Sequence, residues 1–281
     1  MSSQQISKLK LVLLLISSYI VVEFISGLLT GSLALIADAG HMLADAGGLT
    51  LALFAINFSS KPSTPQRTYG FYRIEILAAL ANSAVLILVS VYIIYDAYER
   101  IIEPPQIKGT GLIVVGTIGL VVNLVGMYIL KGHASGNLNI EGAYLEVLKD
   151  TLGSVGVVVV GVITSISEFY LIDPIISVGL AFYILPRTWS LMKKSINILM
   201  EGAPINISYE EVKKAILQIK GVTGIFDIHI WTITSGMDAI TAHVVVSDPS
   251  KSQTILKEIS SMLENRFKIT HTTIQIETYH T

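Results

Sequence analysis

Two short stretches of the chain carry side chains that bind metal ions, in pairs spaced four residues apart. The first pair is His41 and Asp45, and the second is Glu146 and Asp150. On an α-helix this spacing places both members of a pair on one face, about 5–6 Å apart between their β-carbons. Two such helices facing each other would offer one imidazole and three carboxylates, which predicts a tetrahedral site for a divalent cation such as Zn²⁺. The same ligands also suit Co²⁺, Cd²⁺, Fe²⁺ and Mn²⁺.

Both pairs lie inside long apolar segments, where ionisable side chains are costly and usually functional. The chain has 281 residues, of which 52% are hydrophobic and only 14% are charged, whereas a typical soluble domain has about 25% charged residues. The alternative interpretation is that these residues are polar groups that pair with neighbours during helix packing. Cysteine is absent, so disulfides are excluded and any metal site must use His, Asp, Glu or backbone oxygens.

The first 203 residues predict a membrane domain of six helices. Six apolar segments, each near the roughly 20 residues that a bilayer requires, cover about 9–29, 33–58, 73–98, 109–130, 140–165 and 171–191. The first is too long for a signal-peptide core and is expected to be retained; it is interrupted by Glu23. Lys and Arg concentrate on one side of these segments, which predicts that both termini are cytoplasmic. The short termini favour a prokaryotic cell membrane.

Residues 204–281 predict a small soluble domain. Ser208 and Glu211 form a capping-box pattern before a helix that is expected to end near Ile219. Two alternating segments, 222–234 and 237–246, predict a hairpin, and a helical pattern at 251–267 precedes a further strand at 269–278. The order αββαβ predicts a two-layer, ferredoxin-like α+β domain on the cytoplasmic side.

Three further polar residues lie within the predicted spans. Asp38, three residues before His41, could guide the ion or pair with a lysine. Asn123 could hydrogen-bond a metal ligand, although helix packing is the commoner role of such a residue. Lys149 could pair with a carboxylate or extend to the inner interface.

Several motifs together resemble the cation diffusion facilitators, and most closely their zinc-transporting subgroup. Residues 32–45 resemble the second-helix signature of this family, and residues 69–82 resemble the entry to its third helix. Residues 148–156 resemble the fifth helix, 173–178 the start of the sixth, and 229–231 with 241–243 the cytoplasmic domain. The resemblance covers nearly the whole chain.

The resemblance implies a homodimer of six-helix protomers that exports divalent metal from the cytoplasm as protons enter. It implies that His41, Asp45 and Asp150 are ligands of the transport site. Glu146 stands where the zinc subgroup usually has histidine, so four ligands remain but selectivity for zinc is in question. The histidine-rich loop that many relatives carry before the fifth helix is missing, and only His133 lies there.

The resemblance also implies that Zn²⁺ is a regulatory ion of the cytoplasmic domain as well as the transported substrate. The candidate ligands there are His229, His243, His271 and Glu277. The alternative is that these are ordinary surface or packing histidines, since histidine is commonly found at intermediate burial.

We therefore predict a proton-coupled metal antiporter that works by alternating access and is not an enzyme. The predicted partners are the metal ion, protons, membrane lipid and a second copy of the chain, with no nucleic acid. A membrane-anchored metal sensor, an intramembrane metalloenzyme that activates water and a passive channel are the alternatives. The absence of a separate nucleophile or substrate-binding motif argues against the enzyme.

Overall fold

The computed structural model describes the backbone of residues 3–58, 63–105, 107–131, 138–234 and 236–278. Within these ranges, the side chains of residues 3–9, 44–45, 48–58, 138–143 and 145–146 lie outside the description. His133 and the side chains of Asp45 and Glu146, which the sequence analysis named, therefore lie outside the described part of the chain. The chain divides into two compact units, one formed by residues 1–56 and 81–192 and the other by residues 57–80 and 193–281.

Six long helices confirm the predicted membrane fold. They are α1 (Ser3–Thr30), α2 (Leu33–Phe58), α3 (Arg73–Ile102), α4 (Gly109–Lys131), α5 (Leu138–Ser167) and α6 (Ile172–Leu199). Five are long and apolar enough to cross a membrane, and α2 adds a shorter described apolar stretch, Leu33–Leu43. Many large apolar side chains of these helices are exposed, among them Leu14, Leu29, Leu88 and Tyr128, as expected for a surface in contact with lipid. Helix α6 ends eight residues beyond its predicted limit because residues 192–199, in which Lys193, Lys194 and Asn197 interrupt the apolar run, remain helical.

Small residues allow α1, α4 and α5 to pack closely. A β-carbon at Gly116 of α4 would lie 2.9 Å from Val158 of α5, and one at Gly119 would overlap the ring of Tyr19 on α1. Close approach through glycine is a common way for membrane helices to associate, because hydrophobic burial does not drive their contact in lipid. The buried core of this unit is accordingly formed largely by α1, α4 and α5.

The start of α2 is held by a residue from the start of α6. Asp173 accepts hydrogen bonds from the hydroxyl of Ser32 (2.5 Å) and from the backbone N–H groups of Leu33 (2.8 Å) and Ala34 (3.2 Å). Asp173 therefore caps the N-terminus of a helix about 140 residues earlier in the chain. Because α6 begins just after α5 ends, this contact also shows that the C-terminal end of α5 lies at the N-terminal end of α2, so that the two helices run antiparallel.

The second unit confirms the predicted αββαβ order. Its elements are α7 (Tyr209–Leu217), β1 (Val222–Thr234), β2 (Met237–Val246), α8 (Ser252–Met262) and β3 (His271–Glu277). In the three-stranded sheet, β2 is central; it pairs antiparallel with β1 and parallel with β3. Ser208 caps α7 as predicted, since its side chain accepts from the N–H of Glu211. Helix α7 ends two residues before the predicted limit, ahead of Gly221, whose φ of 98° suits glycine.

The segment that leads into α3 belongs to this second unit. Thr234, at the end of β1, donates a hydrogen bond to Glu75 (3.1 Å), and Arg73 forms an ion pair with Glu201 (2.9 Å). Two polar contacts thus connect the first turn of α3 with the sheet and with the residues that follow α6.

Candidate metal-transport site

The two described members of the predicted transport site are both buried within the helical unit. Asp150 on α5 is 2% exposed and His41 on α2 is 8% exposed. The ring of His41 meets that of Tyr183 on α6 edge to face, with 6.0 Å between their centroids. Burial of an ionisable carboxyl and an imidazole among apolar helices is expensive unless they are paired or bind an ion.

The contact between positions 38 and 153, one helical turn from His41 and Asp150, shows how α2 and α5 are aligned along their axes. A β-carbon at Gly153 of α5 would lie 2.7 Å from the Oδ1 atom of Asp38 on α2, so these two positions are adjacent. Since the helices run antiparallel, three residues forward on α2 and three back on α5 bring His41 level with Asp150. Four further residues along each helix bring backbone position 45 level with backbone position 146. The backbone positions of the pair 41 and 45 on α2 therefore lie at the same height along the helix axes as those of the pair 146 and 150 on α5.

Asn123 and Asp38 differ in their surroundings. Asn123 on α4 donates to the hydroxyl of Ser154 on α5 (3.2 Å), so it joins two helices, which is the packing role weighed above. Asp38 is 1% exposed and lies beside Gly153 of α5 and Glu23 of α1. Glu23 is also fully buried, and sequence reasoning assigned it no role, although a carboxyl group in an apolar span was a signal that could have drawn attention to it.

In the second unit, two of the predicted histidines lie around Asp227, a residue that the sequence did not single out. Asp227 lies in an irregular stretch of β1 with a left-handed φ of 51°. Its carboxylate lies 2.8 Å from the Nε2 atom of His229 and 3.7 Å from that of His243. The Nδ1 atom of His243 in turn lies 2.6 Å from Glu277. This hydrogen bond fixes which ring nitrogen of His243 faces Asp227.

The structure does not bring His271 into this cluster. His271 begins β3 and Glu277 ends it, and six residues of strand span about 20 Å. The ring of His271 instead lies near Tyr69, with 6.4 Å between centroids. Within the ranges that the structure describes, no three or more His, Asp or Glu side chains converge on one metal position; those around Asp227 contact one another in a chain.

Two family models match this chain and together account for most of its length. The cation efflux transmembrane domain matches residues 9–200, and the cytoplasmic domain of cation efflux proteins matches residues 204–279. The six helices, the small α+β domain and these matches show that the chain belongs to the cation efflux, or cation diffusion facilitator, family. The resemblance noted in the sequence is thereby confirmed.

Curated relatives are similar over nearly the whole chain. The metal cation efflux system protein CzcD of Cupriavidus metallidurans is 44% identical over 270 residues, which cover 96% of this chain and 85% of CzcD. A cadmium, cobalt and zinc/H(+)-K(+) antiporter of Bacillus subtilis is also 44% identical, over 94% of this chain and 86% of its own length. The zinc transporter ZitB of Yersinia pestis is 37% identical over 93% of this chain and 84% of its own length.

One solved structure is similar to a quarter of the chain. It is the metal-bound C-terminal domain of the CzcD transporter of Cupriavidus metallidurans, with 42% identity, a TM-score of 0.24, and coverage of 25% of this chain and 99% of the solved chain.

Proposed function

We propose that this metal cation efflux transporter exports Zn²⁺ from the cytoplasm in exchange for protons, with Co²⁺, Cd²⁺, Fe²⁺ and Mn²⁺ as alternative substrates. The observation that carries the proposal is the antiparallel register of α2 and α5, which sets His41 level with Asp150 inside the helical unit. The names of the relatives, which include zinc, cadmium and cobalt antiporters, support the same chemistry.

The proposed transport site consists of His41, Asp45, Glu146 and Asp150. One imidazole nitrogen and three carboxylate oxygens complete a four-coordinate Zn²⁺ site. Four protein ligands also leave no open position for an activated water, which argues against an intramembrane hydrolase. The relatives are likewise named as transporters and antiporters.

Exchange of metal for protons follows from the chemistry of these ligands. Imidazole and carboxylate must lose their protons before they bind a metal, so the two cations compete for the same groups. In the proposed cycle the site opens to the cytoplasm, binds metal, and then opens to the outside, where protons displace the metal. The helices that carry the ligands therefore have to expose one buried site to each side in turn.

The proposed membrane domain comprises residues 1–203 and the proposed cytoplasmic domain comprises residues 204–281, with both termini in the cytoplasm of a prokaryotic cell. We assign dimerisation to the cytoplasmic domain, as its family description supports. The Nε2 atoms of His229 and His243 both face Asp227, so a modest rearrangement would let these three groups bind a regulatory Zn²⁺. In that arrangement Glu277 orients His243 through its other nitrogen rather than binding the metal.

Zn²⁺ flux into proteoliposomes with an imposed pH gradient tests the proposal. Wild-type protein is expected to accumulate Zn²⁺ only when the gradient is present, and Asp45→Ala and Asp150→Asn are expected to abolish accumulation. Glu99→Ala, which removes an exposed carboxyl group on α3, is the matched control and is expected to transport normally.

Each alternative predicts a different result in the same experiment. A passive channel would let Zn²⁺ equilibrate but would not concentrate it when the pH gradient is applied. A sensor would give no flux with Zn²⁺, Co²⁺, Cd²⁺, Fe²⁺ or Mn²⁺, and its function would survive Asp45→Ala. Either outcome would overturn the proposed antiport.

A further inference from the structure

A second pair of acidic side chains is buried in the helical unit, one helical turn from the level of the proposed metal site. Glu23 on α1 is 0% exposed and Asp38 on α2 is 1% exposed. Helices α1 and α2 pack closely beside this pair, since a β-carbon at Gly27 of α1 would lie 2.8 Å from Ile36 of α2, and the carboxyl groups of Glu23 and Asp38 interact with each other. The proposed transport cycle gives neither residue a role.

Most of the oxygens of this pair have no donor. Within the described part of the chain, no N–H or O–H group donates to either oxygen of Asp38 or to the Oε2 atom of Glu23. Such unsatisfied atoms are costly in the interior of a protein, and in a native structure each requires an explanation. A hydrogen bond between the two carboxyl groups forms only if one of them carries a proton, because two carboxylates have acceptors alone.

The groups around the pair come from four helices. On α1, the hydroxyl of Tyr19 lies 3.1 Å from Glu23 Oε1 and 3.2 Å from the carbonyl oxygen of Val115 on α4, so it can donate to either one. On α5, the carboxyl group of Asp150 acts on Glu23 electrostatically. His41 follows Asp38 by one turn on α2.

Helices α4 and α5 otherwise contribute uncharged groups to these surroundings. Asn123 on α4 hydrogen-bonds Ser154 on α5, and Gly153 provides the space that Asp38 occupies, since a β-carbon there would lie 2.7 Å from Asp38 Oδ1. None of the groups named around the pair is a lysine or an arginine. Two adjacent carboxylates in such surroundings repel each other, and a bound cation would relieve that repulsion.

The small number of ligand groups at this pair favours a proton over a metal ion. Zn²⁺ generally takes four ligands, and hard cations such as Ca²⁺ take six or more oxygens. Glu23, Asp38 and Tyr19 supply two carboxyl groups and one hydroxyl, whereas a shared proton needs only one oxygen from each carboxyl group.

We propose that Glu23 and Asp38 form a proton-binding site, separate from the four proposed metal ligands, that binds the counter-ion of the transport cycle. This inference rests on the proposed antiport. Asp38 lies five residues after the start of α2, which is about 8 Å along the helix axis. In the proposed topology that end of α2 faces the outside, from which the protons enter.

Transport by the variants Glu23→Gln and Asp38→Asn tests the site. Both variants are expected to lose pH-driven accumulation of Zn²⁺ in proteoliposomes while they retain downhill Zn²⁺ movement at saturating Zn²⁺. Asp150→Asn is expected to lose both activities, and Glu99→Gln, an exposed carboxyl group, is expected to lose neither. Retention of uphill accumulation by both pair variants would overturn the proton site while leaving the antiport intact. Accumulation driven by a K⁺ gradient instead of a pH gradient would also overturn it.

Infrared difference spectroscopy of the purified protein gives a second readout that does not depend on transport. Wild-type protein is expected to show a titrating band from a protonated carboxyl group, and both Glu23→Gln and Asp38→Asn are expected to lose it. If size-exclusion chromatography shows that neither variant folds, the spectrum of the wild-type protein tests the proton-binding site by itself. Absence of the band across the working pH range would refute the site. If wild-type protein does not accumulate Zn²⁺ yet shows the band, the proposed antiport fails, and the pair binds a proton that is not the counter-ion of a transport cycle.

Discussion

Asp173 is the residue whose loss should most disturb the helix that carries His41. Its carboxylate is fully buried and accepts hydrogen bonds from Ser32, Leu33 and Ala34 at the start of α2. Arg100 on α3 lies 3.9 Å away, and it also contacts the carbonyl oxygen of Gly31. One carboxylate thus connects α2, α3 and α6 at one end of the helical unit.

The magnitude follows from the groups that Asp173→Ala would leave unsatisfied. Each buried N–H of Leu33 and Ala34 that loses its acceptor costs about 1–3 kcal/mol, and a lost helix cap typically costs about 1 kcal/mol. These contributions overlap, so we expect a loss of about 3–5 kcal/mol, the range seen when one partner of a buried charged pair is removed. Asp173→Asn keeps one acceptor oxygen and is expected to cost less.

Asp96→Asn is the matched control, because Asp96 also binds Arg100 (2.8 Å) but is about 20% exposed and caps no helix. Its loss should cost about 1 kcal/mol or less. Denaturant titration of the purified protein in detergent should give Asp173→Ala, Asp173→Asn and Asp96→Asn in decreasing order of destabilisation, and Zn²⁺ flux should fall in the same order. A cost for Asp173→Ala no greater than that for Asp96→Asn would refute the capping role.

Three other substitutions test packing, regulation and selectivity. Gly119→Ala would place a methyl group on the ring of Tyr19 and should destabilise the protein by about 1–3 kcal/mol, whereas Gly156→Ala meets open space and should stabilise it by about 0.5–1 kcal/mol in the same denaturant titration; equal effects would contradict the packing argument. Glu277→Gln should weaken Zn²⁺ binding by the cytoplasmic domain about 10–100-fold, as measured by calorimetry on full-length protein that also carries Asp150→Asn, and an unchanged affinity would show that Glu277 does not orient His243. Glu146→His should favour Zn²⁺ over Mn²⁺ in competition flux assays, because imidazole is a softer ligand than carboxylate, and an unaltered preference would show that this position does not set selectivity.

The fold was predictable because its elements are specified by local patterns. Apolar segments of spanning length gave the six helices, and alternation with turn residues gave the αββαβ domain. The error at the end of α6 has the same origin, since hydropathy marks where a helix leaves the apolar region and not where it stops being helical. Within β1, the left-handed Asp227 lies where the pairing with β2 is irregular, and no simple alternation of residues predicts such an irregularity.

The missed features depend on contacts between distant parts of the chain. Asp173 belongs to a recognisable motif, but its function as a cap for α2 depends on a contact across about 140 residues. Glu23 and Asp38 are fifteen positions apart on different helices, and only the tight turn at Gly31 (φ 74°) and the close packing of α1 on α2 bring them together. The spacing of four residues in the metal pairs was informative because one helix is enough to place both side chains on a common face.

The closeness of the two proposed sites gives a physical basis for coupling between metal and proton. Glu23 and Asp38 lie one helical turn, about 5 Å along the axis, from the level of His41 and Asp150. At a separation of about 5–8 Å and an effective dielectric constant near 20, a dication and one proton repel each other by roughly 4–7 kcal/mol before screening by nearby charges. A coupling of even 1.4 kcal/mol changes an affinity tenfold. Protonation of the pair from the outside would therefore weaken metal binding in addition to the direct competition of protons for the metal ligands, and loss of that proton to the cytoplasm would restore it.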